Sequence, residues 1–184
     1  MTPVIYYLLA LLVIVIAYLI HRLMVGGHEL RTLFGQKLVI CPETQETVAV
    51  KVAVGRAALG AIAGKEHIEL CACSRWPERA GCDQACLGEL KENPEEHGVW
   101  AIAAHWYEGK NCFYCGRPIT PLSHLDHPPG LIGFDGKIIE WNEVPAEKLP
   151  AQFASAHPVC WNCAVVETFR QQHPELIVLR PWKH

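Results

Sequence analysis

Nine cysteines stand in a chain of 184 residues, and four of them form two Cys-x2-Cys pairs. Cys112 and Cys115 flank Phe-Tyr, Cys160 and Cys163 flank Trp-Asn, and 44 residues separate the pairs. Thiolates are soft ligands suited to zinc, and four of them close a tetrahedron around one ion. Gly116 follows Cys115 directly and permits the tight return that turns backbone amides onto the sulfurs. The spacing therefore predicts a metal centre made by Cys112, Cys115, Cys160 and Cys163.

The other five cysteines lie upstream. Cys41 precedes Pro42 at the end of an apolar run, a setting that suits a ligand knuckle. Strand alternation would put Cys71 and Cys73 on one face with Glu69. Cys82 and Cys86 are four apart and would project from one side of a helix. The set predicts a second site of Cys41, Cys73, Cys82 and Cys86, with Cys71 as a substitute ligand. Zinc fits four thiolates, and an iron–sulfur cluster takes the same number and would confer a redox role. Plain buried thiols, packed as small hydrophobes, are the third reading. His67 nearby reads as a surface side chain.

Competing chemistries are weaker. An isolated Cys-x2-Cys is also a dithiol redox motif, but two pairs without a thioredoxin-like strand–helix context argue against it. His124, Asp126 and His127 sit in a Pro- and Gly-rich loop, and His157 follows, yet the sequence places no third ligand beside them. His97 and His105 have no useful partner at ligand spacing and read as structural. The chain shows no phosphate-binding Gly loop, no His-Glu-x2-His and no nucleophile set beside a histidine. A tetrathiolate site leaves no open position for substrate, so the expected role is structural and the chain is not read as an enzyme.

The elements that must position these residues begin with residues 4–20, which are almost wholly apolar and uncharged. That length suffices for a helix to cross a hydrocarbon core of about 30 Å. Tyr6, Tyr7 and Tyr18 fall near its ends, where amphipathic rings favour the headgroups. No basic n-region precedes it, which favours an uncleaved anchor over a signal peptide. Arg22, Arg31 and Lys37 follow it, so the positive-inside rule predicts an N-terminus outside and a body in the cytoplasm, on the inner membrane. Thiols there stay reduced, which favours metal over disulfides.

Beyond the anchor, residues 37–41 read as a strand and Val48, Val50, Val52 and Val54 as the buried face of its partner. Residues 56–64 are an Ala-rich helix or packed loop. Asn93-Pro94-Glu-Glu reads as a helix start that runs to Gly109. Asp135-Gly136 reads as a type I′ hairpin turn between residues 131–134 and 137–141. A short helix over 145–154 is expected to break at Pro150, and another should run from Cys163 to Pro174.

A knuckle, a hairpin and then two ligands at the start of a helix resemble the treble-clef class of zinc fingers over residues 111–173. The resemblance implies a structural zinc and a fold type. The expected fold class is α+β: a single transmembrane helix over 1–24, a juxtamembrane linker over 25–36, a first cysteine-rich module over 37–92 and a treble-clef-like domain over 93–184. Net charge is −3 and no Lys/Arg run exceeds two residues. This lacks the basic footprint of a nucleic-acid binder. The expectation is a membrane-anchored protein with one or two zinc ions that acts through contact with a protein partner.

Overall fold

The computed structural model describes residues 2–65, 68–76, 78–79, 81–124 and 126–176; His67 lies outside them. It is an α+β chain with a long apolar N-terminal helix and two small antiparallel sheets. Two compact units divide it, Met1–Gly98 and Val99–His184.

Helix α1 (Thr2–Leu33) opens the first unit and has 32 residues, about 48 Å at a rise of ~1.5 Å per residue. One 18-residue window has a mean hydropathy of 2.6 with none of it buried. The helix is long and apolar enough to cross a membrane, a test that a signal sequence also passes. It continues past residue 24, so residues 25–33 of the expected linker are helical. Its last turn enters the domain, where Leu33 is 1% exposed.

Helix α2 (Val54–Ala63) packs along this end of α1. Arg22 Nε donates to the Ile62 carbonyl at 2.8 Å. Gly26 lies so close that a Cβ there would stand 2.5 Å from Ile62 Cγ1.

Strands β1 (Gln36–Ile40), β2 (Thr47–Val52) and β3 (Leu70–Cys73) form an antiparallel sheet in that order. Val48, Val50 and Val52 are buried and Lys51 is exposed, but Ala49 is buried too, and Val54, expected on the same strand face, instead opens α2. Val48, Val50 and Val52 join Leu33, Val39, Ala57, Leu70 and Leu90 in one core. Leu90 comes from helix α3 (Leu87–Glu92).

Two expectations about the later cysteines and Asn93 fail as well. Cys82 and Cys86 do not share a helix: Gln84 takes a φ of 58°, outside helical geometry, and Cys86 only precedes α3. Asn93 ends α3 instead of opening the next helix. The Pro94 carbonyl instead accepts Lys37 Nζ at 2.7 Å, and the Thr32 carbonyl accepts it at 2.5 Å. Lys37 is 3% exposed; burial lowers its ammonium pKa, with Glu95 opposing.

The second unit starts with helix α4 (Val99–Tyr107), followed by Gly109 at a φ of 68°. Strands β4 (Gly130–Ile132), β5 (Ile138–Glu140) and β6 (His157–Val159) make an antiparallel sheet with β4 central. The β4–β5 turn is longer than a two-residue type I′ turn, which needs two left-handed residues. Only Gly136 is left-handed, at 73°, and its amide donates to Gly133 at 3.1 Å.

Helix α5 (Leu149–Ser155) carries Pro150 in its first turn, where a missing amide hydrogen breaks no helical bond, so the expected interruption is a helix start. Helix α6 (Trp161–Gln172) closes on the sheet: a Cβ on Gly130 would stand 3.2 Å from the Ala164 methyl. Tyr107 is buried in the same unit, and its hydroxyl donates to the carbonyls of Pro129 and Gly130 at 3.2 and 3.0 Å.

Candidate metal centre

Cys112 and Cys115 lie in a tight turn just after α4. The Cys112 amide donates to the Arg117 carbonyl at 2.8 Å, and the Gly116 amide returns to the Cys112 carbonyl at 2.9 Å. That return needs Gly116 at a φ of 68°, which a residue without Cβ adopts freely. The Phe113 amide donates to the Pro158 carbonyl at 2.9 Å, which fastens the turn to β6. One residue past β6, Cys160 precedes the first residue of α6, and Cys163 sits in the opening turn of that helix. The turn thus delivers two thiols to one place, and the strand end and the helix start deliver one each.

The sulfurs of Cys112, Cys115, Cys160 and Cys163 all lie within 4.8 Å of one another. Cys115 and Cys160 stand at 3.8 Å. With Zn–S bonds of ~2.3 Å, the edge of a tetrahedron is about 3.8 Å. The donor set therefore fits a tetrahedral ion of zinc's size. Cys112 is buried and the other three are partly or fully exposed. Ile132, Val159 and Ala164 pack with Cys112 behind the site, while Ile119 and Ile138 flank them.

The electrostatics favour ionisation at one corner. Burial opposes the Cys112 thiolate, but amides of Cys115, Cys160 and Tyr114 aim at its sulfur and bring its pKa down to about 6. The Cys160 amide lies 3.3 Å from that sulfur. Burial and then the neighbouring sulfurs push Cys163 upward, and burial raises Cys160 as well. Four thiols this close cannot all ionise unaided, and a bound cation removes the conflict.

The histidines do other work. His157 stacks on Phe113 with centroids 5.1 Å apart, His127 on Trp161 at 4.3 Å, and His124 on Trp100 at 3.8 Å. Two of these stacks brace the residue that follows a ligand cysteine. Sequence reasoning missed this, because each stack joins residues distant in the chain. No candidate metal group among the described residues includes His124, Asp126, His127 or His157.

The upstream thiols are arranged more loosely. Cys41, Cys73 and Cys86 pack against the core of the first unit. Burial, followed by the nearby sulfurs of Cys73, Cys82 and Cys41, raises the Cys86 pKa to about 11. Cys41 is shifted the other way, by the Thr44 hydroxyl first, with the amides of Thr44 and Glu43 and the Arg75 guanidinium adding to it. Cys71 is exposed and donates to the Lys51 carbonyl at 3.4 Å. Among the described residues, the Cys112 group is the set of metal-ligand type closed within 4.8 Å.

No protein-family model, no curated protein and no solved structure matches this chain.

Proposed function

We propose that the protein is a single-pass membrane protein whose C-terminal unit is a treble-clef-type module stapled by structural zinc. In this reading it acts through protein–protein contact, as an accessory subunit of a membrane complex. The observation that carries the zinc is the tetrathiolate of Cys112, Cys115, Cys160 and Cys163 at tetrahedral spacing. Knuckle, hairpin and ligand-bearing helix follow in treble-clef order. Four thiolates fill the coordination sphere, so the ion would staple the unit and leave no position for substrate. A unit with strands this short gains its folding energy from such a staple.

Helix α1 supports the membrane reading through its length, its hydropathy and its lack of burial. Arg22 and Arg31, both C-terminal to its apolar core, support a body in the cytoplasm. A partner-binding role is supported by α6, where Trp161, Val165 and Phe169 leave an exposed apolar stripe at helical spacing.

Metal analysis of the full chain extracted from membranes tests the proposal. Protein that resists alkaline extraction and carries zinc, with one ion lost on Cys163→Ser, is the expected result. Protein that is soluble without detergent, or that folds fully without metal, would overturn it.

A further inference from the structure

The first unit contains a second copy of the turn that presents Cys112, with the sequence Cys41-Pro42-Glu43-Thr44-Gln45-Glu46. In both turns the first amide donates to the sixth carbonyl: Cys41 to Glu46 at 2.9 Å, and Cys112 to Arg117 at 2.8 Å. The fifth amide returns to the first carbonyl in both: Gln45 to Cys41 at 2.7 Å, and Gly116 to Cys112 at 2.9 Å. The fifth residue is left-handed in both, with a φ of 58° at Gln45 and 68° at Gly116. Amides of the third and fourth residues aim at the first sulfur: Glu43 and Thr44 at Cys41, Tyr114 and Cys115 at Cys112.

Plain hairpins also use turns of this kind. Two features set the 41–46 turn apart. Gln45 holds a backbone conformation that side chains other than glycine adopt only under strain. A thiol also occupies the position whose sulfur receives the amides, with further thiols close by. Cys73 ends β3, directly across the sheet from Val50, and Cys86 precedes α3; both pack on the same core cluster as Cys41. Cys82 lies within electrostatic reach of Cys86, as do Cys73 and Cys41. Arg75 Nη1 stands 3.5 Å from Cys41 Sγ, a cation placed to offset the excess negative charge of a tetrathiolate.

We propose that Cys41, Cys73, Cys82 and Cys86 hold a second zinc ion, with the 41–46 turn as its knuckle. Thr44 stands where Cys115 stands in the other turn, so this knuckle supplies one thiolate and the remaining three come from β3 and the segment leading into α3. Binding exchanges thiol protons for the ion and draws the sulfurs together from their present spacing. Cys71, exposed and bonded to the Lys51 carbonyl, takes no part. This goes beyond the role proposed for the Cys112 group and does not depend on it.

The test counts zinc on the full chain in detergent, with cobalt substitution as a spectroscopic check on thiolate ligation. About two ions per chain are expected for the unmodified protein, and about one each for Cys41→Ser and for Cys112→Ser. Cys71→Ser should keep both. Thr44→Cys supplies a thiol where the first knuckle has Cys115, and combined with Cys82→Ser it should restore the second ion and its cobalt–thiolate absorption. That rescue separates ligation from mere loss of folding. A single ion lost on Cys112→Ser and untouched by Cys41→Ser would overturn the second site and leave the first. A single ion with the opposite dependence would sustain the second site and sink the first. Failure of Thr44→Cys to rescue a folded Cys82→Ser protein would remove the knuckle assignment. Iron with sulfide and visible absorbance at these cysteines would replace zinc and overturn the proposal.

Discussion

Cys115 Sγ and Cys160 Sγ stand 3.8 Å apart although 44 residues separate them in the chain. That distance is the edge of a tetrahedron built on Zn–S bonds of ~2.3 Å. The second unit brings the two sulfurs together by fastening the Phe113 amide to the Pro158 carbonyl. Chelation should therefore do more than strip an ion. Strong chelators, or Cys163→Ser, are expected to release the metal and collapse the near-UV dichroism of the second unit. Retention of that signal in metal-free protein would show that the staple is dispensable.

Tyr107 offers a second check. Its hydroxyl is shared by the Pro129 and Gly130 carbonyls, which hold the start of β4. Tyr107→Phe should cost about 1–2 kcal/mol by leaving both acceptors without their donor. Burial raises the phenol pKa well above its ordinary value. The folded state thus keeps a proton that the unfolded state gives up near pH ~10. The stability from this group is complete below that pH and declines as pH rises past it. Denaturant titrations at neutral and strongly alkaline pH should show the decline in the parent protein and less of it in Tyr107→Phe.

Lys37 and Lys51 lie on neighbouring strands with opposite exposure. Lys37 gives its ammonium to the Thr32 and Pro94 carbonyls, so Lys37→Ala should cost about 2–3 kcal/mol and speed amide exchange in the last turn of α1. An amine-reactive reagent should modify Lys51 quickly and Lys37 slowly. For membrane topology Lys51 is accordingly the informative residue. With the N-terminus outside, a membrane-impermeant reagent should reach Lys51 in inverted vesicles and miss it in intact cells.

Gly26 and Ile62 measure how α1 is attached. A side chain at Gly26 meets Ile62, so Gly26→Val should destabilise the first unit by about 1–3 kcal/mol. Ile62→Ala should recover part of that loss in the double variant. Additive losses in denaturant titrations would mean that the helices do not press on each other here.

The Cys112 group was legible in the sequence because its information is local: a Cys-x2-Cys closed by glycine, then a second pair opening a helix. The apolar helix and the strand through Val48, Val50 and Val52 were legible for the same reason, though Val54 belongs to α2. The errors arose where one residue type serves two purposes. Asn93 followed by Pro94 reads as a helix start, yet Asn93 ends α3 and the Pro94 carbonyl is claimed by a lysine 57 residues away. Cys82 and Cys86 have helical spacing, but the left-handed Gln84 between them is invisible in composition. Cys41-Pro42 marks the 41–46 turn in the sequence, but its kinship with 112–117 is not visible there because Thr44 and Gln45 replace the second cysteine and the glycine. The stacks of His124, His127 and His157 join rings far apart in sequence, which no local pattern encodes.

Helix α1 enters the first unit without a flexible joint, and Leu33, Lys37 and Arg22 pin its end to the fold. In a bilayer such a junction would behave as a keyed shaft. Each residue turns a helix by about 100°, so inserting one residue between the apolar segment and Arg22 would turn the apolar segment by that angle against the first unit. The angular register between the apolar segment and the first unit is written into the length of α1.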